Sequence, residues 1–153
     1  MHIHFIAIGK LKSSSPEQQI VDTYVKQCGW KVSVTQLEEK RKLPTPQLQE
    51  AESNLILNHI PQGAKIIVLD EKGEQWTSRQ CADTLSKWQD SGVSDVCFCI
   101  GGANGHSDIL RKKAHALLSF GRMTLPHFLM RSVLSEQIYR AYTIINHHPY
   151  HRD

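Results

Sequence analysis

Val96-Cys97-Phe98-Cys99-Ile100-Gly101-Gly102-Ala103-Asn104-Gly105 is the stretch that decides the fold, because it joins an unbroken apolar run to a glycine-rich loop. A second apolar run, Lys65-Ile66-Ile67-Val68-Leu69-Asp70, precedes it in the chain. Strands that are apolar at successive positions, rather than at alternate ones, are typical of a parallel sheet covered by helices on both faces. The two runs therefore predict two buried strands of such a sheet.

Strand and helix signals alternate along the rest of the chain. Ser15-Pro16-Glu17 has the cap, proline and acid of a helix start, and Thr77 with Gln80 fits a capping box. The alternation predicts a single α/β domain over residues 1–153, with a mostly parallel five-stranded sheet and helices on both faces. The predicted strands are residues 2–8, 31–37, 65–70, 96–100 and 120–125; the predicted helices are 16–27, 46–60, 77–92, 107–118 and 126–148, with a turn at 71–73.

The composition is that of an ordinary soluble globular protein, with 40% hydrophobic and 22% charged residues. No apolar run approaches the roughly 18 residues of a membrane span, and residues 1–9 indicate a strand rather than a signal peptide. The four cysteines form no CxxC pair. We therefore expect reduced thiols, a cytoplasmic location and no membrane partner.

Positive charge is concentrated in the last third of the chain. From Arg111 onward there are seven lysines and arginines but only two acids, a net charge of +5. Such an asymmetry is typical of a surface that contacts a phosphate backbone. Ordinary solvated helix faces would explain the same charges, so that alternative stays open.

The glycine loop has the form GGxxG and follows the fourth predicted strand. It is neither the GxGxxG of dinucleotide-binding proteins nor the GxxxxGK[ST] of NTPases. Ligands of parallel sheets bind beyond the carboxyl ends of strands, where Leu69-Asp70, Gly101-Gly102 and Leu125 are all predicted to lie. The loop thus favours a small cofactor in a shared crevice, with a purely structural tight turn as the alternative.

The tail Asn146-His147-His148-Pro149-Tyr150-His151-Arg152-Asp153 is aromatic, basic and rich in histidine. His147 and His151 are four residues apart, but Pro149 interrupts the helix that would make this a metal-binding spacing. We expect no metal there, and instead a tail that offers a stacking ring, a group titrating near neutrality and a cation for phosphate. A tail that merely packs on the domain or on a partner subunit is the alternative.

Several motifs occur together in a familiar order, and the chain closely resembles the RlmH family of SPOUT methyltransferases over nearly its whole length. The motifs that carry the resemblance are Ala7-Ile8-Gly9-Lys10-Leu11-Lys12, Val68-Leu69-Asp70, Ile100 to Gly105, Leu118 to His127, Glu136-Gln137-Ile138-Tyr139-Arg140-Ala141 and His148-Pro149-Tyr150-His151. His106 departs from the family pattern, which usually has an apolar residue after the glycine loop.

The resemblance implies an activity, a cofactor and a set of partners. These are methylation of N3 of a pseudouridine in 23S ribosomal RNA within the ribosome, with S-adenosylmethionine (SAM) as cofactor, by a homodimer with a C-terminal trefoil knot. The cofactor contacts it implies are Leu69, Gly101, Phe120, Gly121, Arg122, Met123, Thr124 and Leu125, and the tail from His148 to Arg152 would face the RNA.

For catalysis we hypothesise that His151 or Tyr150 assists proton removal at the methylated nitrogen. Arg131, His148 and Arg152 are the predicted RNA contacts, with the two arginines holding phosphate or base. A non-catalytic RNA- or ribosome-binding module would share the basic C-terminal third without needing the crevice. A nucleotide-binding α/β enzyme of another kind is the third possibility.

Overall fold

The computed structural model describes residues 1–152, in which strands and helices alternate. The strands are His2–Ile8 (β1), Lys31–Leu37 (β2), Lys65–Gln75 (β3), Asp95–Ile100 (β4) and Ala116–Ser119 (β5). The helices are Pro16–Gln27 (α1), Thr45–Asn58 (α2), Ser78–Asp90 (α3), Asp108–Lys113 (α4) and His127–Ile145 (α5). The predicted α/β class is confirmed.

The sheet is parallel throughout and has the strand order β2-β1-β4-β3-β5. Parallel neighbours need crossover connections, which the helices provide. Helix α5 contacts α1 and α3 on one face of the sheet, whereas α2 contacts α4 and β1 on the other. This topology brings the carboxyl ends of β4, β3 and β5 side by side.

Two apolar clusters, one on each face of the sheet, form the core. Because successive strand residues point to opposite faces, Ile3 and Phe5 of β1 belong to one cluster and Ile6 and Ile8 to the other. Leu134, Ile138 and Ala141 of α5 complete the first cluster, and Ile56 of α2 with Leu110 of α4 completes the second. Burial on both sides explains why the central strands are apolar at successive positions.

Two predicted helix starts are confirmed. The Ser15 hydroxyl accepts a hydrogen bond from the backbone N–H of Gln18 at 3.3 Å. The Thr77 hydroxyl accepts from the N–H of Gln80 at 3.1 Å, and the Gln80 side chain accepts from the N–H of Thr77 at 2.8 Å. Each cap satisfies backbone donors that have no partner inside the helix, and such caps typically contribute about 1 kcal/mol.

The turn predicted at residues 71–73 is wrong, because β3 continues through this region. The strand pairs with β5 twice, with Leu69 and then Glu74 opposite Leu118 and an irregularity between them. A Cβ atom at Gly73 would lie 2.6 Å from the backbone of Leu118. The glycine therefore allows a close approach of two backbones, which resembles a turn signal when only the sequence is considered.

The helix predicted over residues 107–118 and the strand predicted over residues 120–125 are also wrong in their positions. Helix α4 ends at Lys113, and the strand occupies residues 116–119. The backbone N–H of His115 donates to the carbonyl of Ile66 at 2.7 Å and so starts the pairing with β3. A short apolar run fits either period, and here pairing with a neighbouring strand decides between them.

Helix α5 is 19 residues long and leads from the carboxyl edge of the sheet to the C-terminal tail. It begins after Pro126 and ends at Ile145, before the predicted stop at Pro149. His147, with φ of 55°, adopts the left-handed conformation that closes many helices. Across residues 1–152, none of the helices combines the length and apolar character that crossing a membrane would require.

Candidate functional site

A cavity of about 570 Å³ opens at the carboxyl edge of the sheet. Its volume lies within the range typical of small-molecule sites. Three segments form most of its wall: residues 69–72 of β3, residues 100–106 at the end of β4 and in the following loop, and residues 118–125 at the end of β5 and in the following loop. The start of α5 and Arg111 of α4 close the remaining sides. This is the edge at which parallel sheets bind ligands.

The wall of this cavity contains every residue predicted to contact the cofactor. They come from three separate strand ends and are Leu69, Gly101, Phe120, Gly121, Arg122, Met123, Thr124 and Leu125. The strand predicted to carry the last six is a loop, yet the loop leads into the same crevice. Their common position agrees with the predicted role, and cofactor contact itself stays a prediction.

Helix α2 holds the glycine loop from outside the cavity, a role that the sequence did not reveal. The Gln49 amide donates to the carbonyl of Asn104, and the backbone N–H of Ser107 donates to the Ser53 hydroxyl at 2.9 Å. Within the loop, the N–H of Gly105 donates to the carbonyl of Gly102 at 3.1 Å. The loop is therefore fixed at both ends.

Asp70 and Arg111 form an ion pair in the cavity wall. The Arg111 Nε donates to Asp70 Oδ2 at 2.6 Å, and the N–H of Lys72 donates to Asp70 Oδ1 at 2.9 Å. Burial raises the pKa of Asp70, but the Lys72 N–H and the Arg111 guanidinium outweigh it and hold that pKa below its usual value. Arg111, counted above among the RNA-facing charges, thus contributes to the cavity.

His106 lies beneath the glycine loop and is only 2% exposed. A Cβ atom on Gly101 would stand 3.0 Å from its ring carbon Cε1, so the imidazole and the loop are in close contact. Its Nε2 is buried and has no hydrogen-bond partner among the described residues. Burial lowers the pKa of His106 to about 4, against a smaller opposing influence of Asp70, so the ring is neutral at neutral pH.

This buried imidazole should make folding stability depend on pH. His106 titrates near 6.5 when unfolded and about 4 when folded, so the unfolded chain binds more protons between these values and stability falls as pH drops from 6.5 toward 4. The effect at pH 4.5 is about 2 kcal/mol. We expect His106→Leu to reduce the loss of unfolding free energy between pH 7 and pH 4.5 by this amount, measured by urea denaturation.

The exposed His148 provides the matched control, since His148→Leu makes the same change of side chain at the surface of the domain. If His106→Leu showed the same loss as the parent protein, the buried, neutral state of His106 would be refuted.

Hydrogen bonds between a serine hydroxyl and the main chain hold the segment at the end of β5 in its conformation. The Ser119 hydroxyl donates to the carbonyl of Gly121 at 2.9 Å and accepts from its N–H at 3.2 Å. Gly121 has φ of +125°, and Met123 is 86% exposed at the mouth of the cavity. A wall of this kind suits recognition of a small ligand through main-chain groups.

Residues 146–152 of the tail do not line the cavity of their own chain. The Tyr150 hydroxyl donates to Glu136 Oε1 at 2.9 Å, and its ring packs against Tyr139 and beneath the Arg140 guanidinium. His151 Nδ1 lies 3.2 Å from Arg140 Nη1. Burial and the hydrogen bonds with Tyr24 and Glu136 raise the pKa of Tyr150, which disfavours a role for it as a base. The predicted RNA contacts His148 and Arg152 are exposed.

Arg131 is the predicted RNA contact that the structure corrects. It is 1% exposed, and its Nη2 donates to the carbonyls of Ile8 at 2.6 Å and Gly9 at 2.8 Å. Its Nη1 donates to Gln36 Oε1 at 3.2 Å, and its guanidinium lies over the Phe128 ring. The side chain is engaged inside the domain, where it secures the end of β1, and cannot reach RNA from this position.

Comparison with known proteins identifies relatives over the whole chain. A family described as "Predicted SPOUT methyltransferase" matches residues 1–151. Two proteins named ribosomal RNA large subunit methyltransferase H, from Paramagnetospirillum magneticum and Rhodospirillum centenum, are 47% and 37% identical, each over 152 residues and 99% of both chains. A methyltransferase-like chain of Legionella pneumophila, solved with bound SAM, has a TM-score of 0.50 at 15% identity. The match covers 92% of this chain and 66% of that one, and it shows likeness of fold.

Proposed function

Because this chain belongs to the SPOUT methyltransferase family, we propose that it transfers the methyl group of SAM to large-subunit ribosomal RNA. The named relatives suggest the RNA substrate, and the RlmH resemblance suggests N3 of a pseudouridine as the acceptor. The observation that carries the proposal is the cavity of about 570 Å³, built from three strand ends in a chain that matches the family over residues 1–151.

The residues that line the cavity are compatible with the binding of SAM. Gly101 leaves space that a Cβ atom would fill, only 3.0–3.2 Å from His106 and Gly105. We assign the cofactor contacts to Leu69, Gly101 and residues 120–125, with main-chain groups providing most of the hydrogen bonds. When bound, SAM supplies an electrophilic methyl group on a sulfonium centre.

Methyl transfer of this kind is an in-line displacement, and the chain's contribution is chiefly alignment and water exclusion. The accepting imide nitrogen must also lose a proton, so a nearby neutral base accelerates the reaction. His151 is our candidate for that base. Tyr150, whose hydroxyl already donates to Glu136, is better suited to holding the tail and stacking on a base.

We further propose that two copies complete each site, with the tail of one chain facing the cavity of its partner. In support, Tyr150 bonds Glu136, which lies six residues along α5 from the cavity residue Met130, or about 9 Å of helix. A homodimer would bring the exposed His148 and Arg152 to the RNA bound at the partner's site. The C-terminal knot and the cytoplasmic location are part of the same family-based proposal.

Single-turnover methylation with saturating RNA tests the tail. We expect His151→Ala to lower the rate by about 100-fold, as loss of a general base does. Tyr150→Phe should lower it less, because it removes only the hydrogen bonds of the hydroxyl with Glu136 and Tyr24. His147→Asn is the matched control, since asparagine tolerates the left-handed backbone of this neighbouring exposed residue. Parental rates for both His151→Ala and Tyr150→Phe would remove the tail from catalysis and leave His127, which lines the cavity, as the next candidate.

The whole proposal is tested with ribosomes from a strain that lacks the modification. The protein and radiolabelled SAM should add one methyl group per large subunit, mapped to N3 of a single pseudouridine. SAM binding without methylation of any ribosomal RNA would contradict the assigned substrate. RNA binding without SAM binding, measured by calorimetry, would instead support a non-catalytic ribosome-binding module.

A further inference from the structure

A cluster of two histidines and one carboxylate lies at the amino-terminal edge of the sheet, opposite the cavity. His2 and His4 are on β1, and Asp95 begins β4 beside them, with His2 and Asp95 directly paired in the register. Residues two apart on a strand share a face, so both imidazoles and the carboxylate lie on one side of the sheet. Their side chains are only 25%, 15% and 25% exposed, respectively.

One donor atom of each residue points into this cluster. His4 Nε2 is 2.7 Å from Asp95 Oδ1, and His2 Nδ1 is 3.8 Å from the same oxygen. The three donor atoms lie within 4.8 Å of one another. A hydrogen bond accounts for the contact between His4 and Asp95. It does not account for the position of His2 Nδ1, because 3.8 Å is too long for a hydrogen bond.

The atoms that point away from the cluster are held by two serine hydroxyls. Ser33 Oγ, on β2, lies 3.1 Å from His2 Nε2 and 3.2 Å from His4 Nδ1. The Ser94 hydroxyl donates to Asp95 Oδ2 at 2.7 Å. A hydroxyl oxygen can accept from two N–H groups, so with a metal bound Ser33 can hold both rings in the tautomers that leave the lone pairs of His2 Nδ1 and His4 Nε2 to the ion. Without metal, the proton on His4 Nε2 forms the hydrogen bond to Asp95 and Ser33 donates to His4 Nδ1.

We propose that His2, His4 and Asp95 bind a divalent transition-metal ion of the Zn²⁺ class, with Ser33 and Ser94 orienting the ligands. Two imidazoles and one carboxylate are a donor set for Zn²⁺, Co²⁺ or Ni²⁺. Outer hydrogen bonds that fix ring orientation accompany protein metal sites. Ligands about 2.0–2.1 Å from a tetrahedral ion stand roughly 3.3 Å apart. Binding therefore requires His4 Nε2 to move away from Asp95 Oδ1 by about 0.6 Å and His2 Nδ1 to approach that oxygen by about 0.5 Å.

The bound ion would connect β1 to β4 at the amino-terminal edge of the sheet, where the three side chains are partly exposed, and its remaining coordination position would be open to solvent. It would therefore stabilise the fold without entering methyl transfer, since the cavity lies at the other end of the strands. The sequence led us to expect no metal, because residue spacing reveals only ligands close in the chain, whereas Asp95 is 91 residues from His4.

The test is titration of EDTA-treated full-length protein with Zn²⁺ by calorimetry, and with Co²⁺ by visible absorbance. We expect one ion per chain, a Co²⁺ spectrum abolished by Zn²⁺, and a higher melting temperature with Zn²⁺. Asp95→Asn and His2→Asn should each weaken binding at least about tenfold, and Ser33→Ala by about 10–100-fold. Circular dichroism without metal checks that each variant folds, and the partial exposure of His2 makes at least that variant tolerable.

The tail histidines provide the matched control, because His147→Asn/His148→Ala should bind Zn²⁺ as the parent does. The proposal is overturned if the parent binds no ion at about 100-micromolar metal, or if Asp95→Asn and His2→Asn bind as tightly as the parent. Loss of binding in the tail variant alone would equally refute it. Methylation activity is not a readout, so failure here is distinguishable from failure of the proposed function.

Discussion

Gly101→Val should lower the affinity for SAM by about 100-fold and reduce methylation in proportion. A Cβ atom at this position already stands 3.0 Å from His106 Cε1 and 3.2 Å from the Gly105 carbonyl carbon. The two further methyl groups of valine have to enter the cavity or displace the loop, which Ser53 and Gln49 hold from outside. Overpacking of this kind costs about 1–3 kcal/mol, and the upper end corresponds to about 100-fold in affinity.

Calorimetry with SAM measures the effect, and circular dichroism confirms that the variant is folded. Gly92→Asn is the control: Gly92 has φ of +84°, a Cβ atom there would meet nothing within 4 Å, and the residue is remote from the cavity. Undiminished SAM affinity in Gly101→Val would show that the cofactor does not bind here, and the proposed function would lose the observation on which it rests.

Local signals predicted those parts of the fold that local chemistry determines. The Ser15 cap and the Thr77 capping box are short-range hydrogen-bond patterns, and both helices begin where these patterns place them. The central strands are apolar at successive positions because two helical layers cover them, and this burial is visible in the sequence. Strand order and face assignment then place the crevice at the carboxyl edge.

Prediction failed where distant pairing overrides a local pattern. Residues 114–119 fit helix or strand equally well, and the choice depends on the hydrogen bond from His115 to Ile66 in another strand. Gly73 resembles a turn residue because its packing against the backbone of Leu118 is invisible in the sequence. The family resemblance, rather than the strand prediction, named residues 120–125 as cofactor contacts, and the shifted strand still delivers them to the same edge.

The inference that arginines in the basic C-terminal third lie on the surface was the least reliable one drawn from the sequence. Arg111 pairs with the buried Asp70, and Arg131 is itself buried, although both counted toward a basic surface. Neither fact has a short-range signature, since the partners of Arg111 and Arg131 lie about 40 and more than 90 residues away. The cations of this segment that are exposed, and so remain suited to RNA, are Lys112, Lys113, Arg122 and Arg152.

Arg131→Ala should lower the free energy of unfolding by about 3–5 kcal/mol, the largest stability effect that we expect of any single change. Its guanidinium donates to the carbonyls of Ile8 and Gly9 and to Gln36. Truncation leaves the two carbonyls without this donor beside a new cavity, whereas Gln36 Oε1 keeps the N–H of Leu11. For a chain of this size the melting temperature should fall by roughly 10 °C. Urea and thermal denaturation measure both quantities.

Two further arginine variants separate this structural role from the RNA contact first predicted for Arg131. Arg131→Lys keeps the charge but lacks the planar fork that serves three acceptors, so it should recover only part of the stability. Arg152→Ala removes an exposed cation, so it should change stability by less than about 0.5 kcal/mol while weakening RNA binding.

If Arg131→Ala were as stable as the parent protein but bound RNA more weakly, the side chain would have to leave its buried position to contact RNA. If Arg131→Ala is less stable than the parent but still binds RNA at temperatures below its melting transition, Arg131 acts by securing β1. The Ile8 side chain of β1 lies against the glycine loop.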